Sequence, residues 1–121
     1  MKIYLKKSKI HGLGIFALED IATGEVIETC PVLILSKKDT ETIDKTELYN
    51  YYFSWKNQTS ALALGFGSIY NHAYIPNARY KTNYLRKQII FIATKDINKD
   101  QEITVNYNGD PLSQNKVWFE K

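Results

Sequence analysis

With 121 residues, 44% hydrophobic and 24% charged, the chain has room for one hydrophobic core, and residues 1–121 read as a single domain. That balance excludes a disordered chain, and no apolar run approaches the roughly 20 residues that span a bilayer. The single cysteine, Cys30, excludes an intrachain disulfide and a cysteine-cluster zinc site.

The net charge of +3 comes from lysines spread thinly along the chain. Lys6-Lys7, Lys37-Lys38 and Arg86-Lys87 are the adjacent basic pairs. They make no basic stripe, so a nucleic-acid partner is not expected. A mildly basic protein also exerts no long-range attraction on a highly basic partner, which would have to be recognised locally. The N-terminal MKIYLKKSKI lacks the continuous apolar stretch of a signal peptide, and no compartment is read from it.

In chain order, Lys2 to Leu5 and Gly14 to Leu18 are short apolar segments on either side of a His11-Gly12-Leu13-Gly14 turn. Glu25 to Leu35 is rich in strand formers, but Pro31 cannot donate to a ladder and predicts an edge or a bend there. Lys37 to Trp55 is the best helical stretch, with Ile43, Leu48, Tyr51, Tyr52 and Trp55 suggesting one face and threonines weakening it. Ala61 to Leu64 reads as a short buried strand entering Gly65-Phe66-Gly67-Ser68. Arg79 to Arg86 and Gln88 to Thr94 read as a hairpin, and Glu102 to Tyr107 as the last strand. Asp20 to Ile27 echoes Asp96 to Ile103, a polar turn feeding a strand in both places; duplication and two similar turns both account for it.

Three short segments carry the chemistry. His11-Gly12-Leu13-Gly14-Ile15-Phe16 lets the backbone turn tightly and approach a ligand, or is a plain turn; it lacks the third glycine and the helix of a dinucleotide-binding fingerprint. Asn71-His72-Ala73-Tyr74-Ile75-Pro76-Asn77 offers an amide, an imidazole and a Pro-Asn turn. Asn71 can donate and accept, suiting an amino-acid ligand or a buried turn; His72 can be a base, a ligand or a packed ring, and no companion residues stand at metal spacing. Glu102 to Gly109 ends an alternating strand with Tyr107, just before an Asn-Gly turn. Trp118-Phe119 stands in a tail, where an indole can pack on the domain, stack on a flat ligand or attract a cation.

In this order, the segments resemble the SET-domain protein lysine methyltransferases over nearly the whole chain. The resemblance implies an α+β, β-rich fold of small curved sheets, with a C-terminal pseudoknot that brings Tyr107 to Asn71. It implies S-adenosyl-L-methionine as cofactor, cradled by Gly12, Leu13 and Gly14, bound through Asn71 and His72, and covered at the adenine by Trp118. His72 would serve mainly through its backbone and packing, not as a base. Tyr107 matches the catalytic tyrosine of the family's Tyr-x-Gly motif. Tyr80, three residues beyond Asn77, falls where some members place a channel tyrosine that limits methylation, and Tyr52 and Phe53 are further channel candidates. The tail would close the site without the zinc-binding cysteines found beside many members. Where the family often has Arg-Phe before the Asn-His pair this chain has Ser68-Ile69-Tyr70, and Ala73-Tyr74 follows where Ser and Cys are frequent.

The implied reaction is methyl transfer to the amine of a protein lysine. In an aromatic channel desolvation and the sulfonium charge both disfavour the ammonium, so no carboxylate base is needed. The implied partner is a protein or peptide bearing lysine; so small a chain would rely on dimerisation or a short motif for targeting. Two rivals are a catalytically silent SET-like binding module and a small barrel stacking single-stranded nucleic acid on its tyrosines, which would need a basic groove.

Overall fold

The computed structural model describes residues 2–108. Trp118 and Phe119 lie outside these residues. The first sheet begins with β1 (Ile3–Lys7) and β2 (Leu13–Ala17), antiparallel about the glycine turn with Lys7 opposite Leu13. β3 (Val26–Leu35) follows, then α1 (Lys37–Ile43), a 3-10 turn (Glu47–Asn50) and the two-residue strand β4 (Phe53–Ser54). β5 (Ser60–Ala63), β6 (Asn71–His72), β7 (Ala78–Asn83), β8 (Gln88–Ala93) and β9 (Glu102–Val105) complete the described elements. One sheet has the order β1-β2-β9-β6 and the other β4-β5-β3-β8-β7.

The hairpin expected from Arg79 to Thr94 is present, with Ala78 opposite Ala93 and Asn83 opposite Gln88. Pro31 does not interrupt β3. It sits where the strand changes partners: Val26 to Pro31 pair with β8, and Val32 to Leu35 with β5. A missing N–H is tolerated at such a handover because the ladder is already being passed on.

The long helix read from Lys37 to Trp55 is corrected to seven residues. Ser36 caps its start by accepting from the Asp39 N–H, and Asp44 ends it. Thr46 then accepts from Leu48 and opens the separate 3-10 turn. Threonine hydroxyls offer the backbone local alternatives to helix: Thr42 bonds the Lys38 carbonyl and Thr46 the Ile43 carbonyl. Tyr51 and Tyr52 therefore enter an irregular segment, and Phe53 the strand β4, instead of a helix face.

The two echoing segments meet face to face. Ile21 and Ile97 exchange both main-chain hydrogen bonds at 2.8 Å, and both are 1% exposed. Asp20 accepts from the Lys99 N–H while Asp96 accepts from the Thr23 N–H, each at 2.8 Å. Glu25 caps Ala22 as Gln101 caps Asn98, both at 3.0 Å. Gly24 takes positive φ (+86°), and Asp100 does the same at its counterpart position (+68°). Similar turn chemistry thus builds a local two-fold arrangement joining β3 to β9.

β9 lies between β2 and β6, and Ile103, Thr104, Val105 and Asn106 are all buried. A strand covered on both faces must have its main chain fully paired, since each buried unsatisfied group costs about 1–3 kcal/mol. Asn77 provides part of that pairing: its amide accepts from the Thr104 N–H at 2.9 Å and donates to the Glu102 carbonyl at 2.8 Å. The Pro-Asn turn is thereby a clamp on the last strand.

Candidate active site

β6 and β9 run parallel, with Asn71 beside Thr104 and His72 beside Val105. This pairing carries Tyr107 to the Asn-His stretch, the juxtaposition expected above. Its main-chain N–H donates to Nδ1 of His72 at 2.9 Å. That bond engages the Nδ1 lone pair with the main chain of the last strand's exit.

The glycine turn closes onto the same place. Gly12 adopts a φ of +46°, and a side chain there would meet nothing within 4 Å, so the turn's outer side faces open space. The Ser8 hydroxyl accepts from the Ile10 N–H at 2.8 Å and donates to the Glu102 carboxylate at 2.8 Å. The Asn71 amide nitrogen reaches the carbonyls of His11 and Leu13, both at 3.1 Å, and the Glu102 carboxylate at 2.9 Å. Gly14 has no room for a side chain, because Glu102 and Ser8 occupy the space it would need. Asn71 therefore directs its amide nitrogen at the protein's own loop and at Glu102.

Glu102 is the residue that sequence reasoning missed. It binds Ser8, packs on Gly14 and receives Asn71, so one carboxylate joins all three parts of the cradle. Its signal was an acidic residue opening an otherwise apolar strand.

Tyr107 also lines a cavity of about 250 Å³, together with Tyr51, Tyr52, Phe53, Tyr70, Tyr80 and Val105, and with Asn50, Ser54, Gly67, Ser68, Thr82 and Asn108. None of these described lining residues is charged. Three tyrosines and a phenylalanine singled out in the sequence, Tyr107, Tyr80, Tyr52 and Phe53, share this wall. Phe53 and Tyr80 meet edge to face at 4.9 Å, and the Tyr80 hydroxyl donates to the Tyr107 carbonyl at 3.3 Å. The Tyr52 hydroxyl instead donates to Asp44 at 2.7 Å, so its ring is wall and its polar end is spent elsewhere.

The Tyr107 hydroxyl donates to the Tyr70 carbonyl at 2.7 Å. Burial, and then the neighbouring Tyr51 and Glu102, pushes the Tyr107 phenol up to about 12. Burial likewise raises Tyr80. Both phenols stay protonated at neutral pH and can orient a ligand by hydrogen bonds without acting as bases.

Residues 12–108 match the SET domain family. The chain is 34% identical over 117 residues to a Schizosaccharomyces pombe protein named histone-lysine N-methyltransferase, H3 lysine-37 specific, covering 96% of this chain and 76% of that one. The crystal structure of a candidate histone methyltransferase of Plasmodium falciparum superposes with a TM-score of 0.71 at 33% identity, covering 90% of this chain and 99% of the other. A Chaetomium thermophilum Polycomb Repressive Complex 2 structure gives 0.70 at 27% identity, covering 87% of this chain but 14% of that one. The chain belongs to the SET-domain family and is a protein-lysine methyltransferase.

Proposed function

We propose that this methyltransferase draws its methyl group from S-adenosyl-L-methionine and delivers it to a lysine inserted into the tyrosine-lined cavity. The observation that carries the reading is that Tyr107 lines an uncharged aromatic cavity while its main chain bonds His72, next to Asn71 of the cradle. The cofactor would supply a methyl already activated by its sulfonium. Gly12, Leu13, Gly14, Asn71 and His72 would hold it, and Trp118 of the tail would cover the adenine. The residues suit a cation: Glu102 places a carboxylate within the cradle, and the turn's outer side is open.

Lysine in water has a pKa of about 10.4, so a neutral amine near pH 7.4 requires a shift of about 3 units, or about 4 kcal/mol. An aromatic cavity without a counter-charge pushes in that direction by desolvation. Tyr107 spends its proton on the Tyr70 carbonyl, which turns a phenolic lone pair toward the cavity to accept an amine N–H. The excess proton can leave to water, since no lining residue is a competent base at neutral pH. Tyr80, Tyr52 and Phe53 then align the amine and keep water out.

The substrate class we propose is a lysine on an extended protein segment, in keeping with the histone-named relatives. With a net charge of +3 on the enzyme, recognition of a basic tail would rest on local contacts around the cavity. Labelled cofactor, a panel of lysine-containing proteins including histone H3, and mass mapping of the product test this. Modification of a lysine supports the reading. Cofactor binding with no transfer to any protein would favour a silent peptide-binding module.

A further inference from the structure

We propose that Glu28 and Tyr70 form a positioning pair that sets the orientation of the Tyr107 hydroxyl, a role that rests on the reading of Tyr107 given above. Glu28 lies on β3, one residue pair from the buried Cys30, and its carboxylate points beneath the loop that leads from β5 to β6. It accepts from the Phe66 N–H at 3.0 Å and from the Tyr70 hydroxyl at 2.8 Å. Gly65 makes this possible: its φ is +66°, and a side chain there would run into the Glu28 carboxylate. The loop is thus pinned to β3 at both ends by one side chain.

Tyr70 is the part of that loop which meets the chemistry. It is 2% exposed, and its ring stacks on Phe91 with centroids 4.2 Å apart and planes 20° apart. Stacking fixes the plane of a ring but resists sliding within that plane only weakly. The hydroxyl bond to Glu28 supplies the missing restraint. The main-chain carbonyl of the same residue accepts the Tyr107 proton at 2.7 Å. Gly67 and Ser68, from the same pinned loop, line the cavity as well. A carboxylate on the central strand therefore fixes, through one buried tyrosine, both a cavity wall and the direction of the hydroxyl that receives the amine. The Tyr70 hydroxyl and the Glu28 carboxylate are bonded to each other, so in this proposal both act through Tyr107.

The test uses the full chain with Tyr70→Phe, Glu28→Gln and the double variant. Tyr70→Phe keeps the ring and its stack, removing only the anchor. We expect kcat for methyl transfer to fall about tenfold, with the calorimetric Kd for S-adenosylmethionine within about twofold of wild type. Glu28→Gln leaves one acceptor for two donors and should lower kcat similarly. If the two residues act as a pair, the double variant is no slower than the slower single variant. Unchanged kcat in folded Tyr70→Phe overturns the proposal. So does a fall in kcat matched by an equal loss of cofactor affinity, which marks a general loosening, or a double variant whose losses simply multiply. Tyr107→Phe serves as the control: loss of turnover there with full turnover in Tyr70→Phe defeats the pair alone, whereas full turnover in Tyr107→Phe defeats the reading of Tyr107 and this inference with it.

Discussion

The amide nitrogen of Asn71 lies 2.9 Å from the carboxylate of Glu102, and the two residues stand on parallel neighbouring strands. The same nitrogen holds the His11 and Leu13 carbonyls, and the same carboxylate holds Ser8. A turn with little burial of its own is thereby tied to the centre of the sheet by one polar knot. Breaking either side removes hydrogen bonds that tie the turn to the sheet, each contributing about 0.5–1.5 kcal/mol.

Glu102→Ala and Asn71→Ala should each weaken S-adenosylmethionine binding by about tenfold or more, because the loop they anchor is the proposed cradle. Glu102→Gln, which keeps an acceptor but not the charge, should lie between. Removal of residues 117–121 should weaken binding independently, through Trp118. Isothermal calorimetry decides each case, and wild-type affinity in Glu102→Ala would detach the knot from cofactor binding.

Tyr107→Phe should separate chemistry from binding. The ring and its packing near His72, at 5.1 Å between centroids, remain, so folding and cofactor affinity should change little. Methyl transfer should fall by roughly two orders of magnitude or more, since the lost hydroxyl matters on the reaction path. A folded variant with normal turnover would remove Tyr107 from the mechanism.

Tyr80→Phe bears on the number of methyl groups added. Its hydroxyl reaches the Tyr107 carbonyl at 3.3 Å and its ring braces Phe53. Removing the hydroxyl frees space in the wall while the edge-to-face contact persists. Products should shift toward higher methylation at matched total turnover, read by mass spectrometry of the modified lysine. An unchanged mono-, di- and trimethyl ratio would make Tyr80 a packing residue only.

Alkaline pH should destabilise the fold through its buried phenols. Tyr107 is pushed up to about 12 by burial, and Tyr70 and Tyr80 are raised by the same cause. The folded state binds these protons more tightly than the unfolded chain, whose tyrosines titrate near 10. The stabilisation is therefore complete below about pH 10 and is lost as pH rises from there toward about 12. Urea midpoints measured across that interval should fall, and fall less steeply in Tyr107→Phe. A midpoint independent of pH above about 10 would contradict the burial that defines the channel.

Much of this was legible in the residues themselves. Short apolar segments and turn signals located β1, β2, β7, β8 and β9, because strands and tight turns are governed by neighbours in the chain. The order of the glycine turn, the Asn-His stretch and Tyr107 pointed to the family, and their clustering followed. Where the structure differs, hydrogen bonds and strand pairings that periodicity does not encode decided the outcome. The helix from Lys37 ended at Ile43 because threonine hydroxyls capped the backbone locally and Phe53 was drawn into a strand pairing opposite Ala61. The Tyr52 hydroxyl turned to Asp44, which no periodicity could indicate. Glu102 and Glu28 each face a glycine, Gly14 or Gly65, whose missing side chain makes room for the carboxylate. A carboxylate's role depends on which donors surround it, and those donors come from segments that meet only when the sheets assemble.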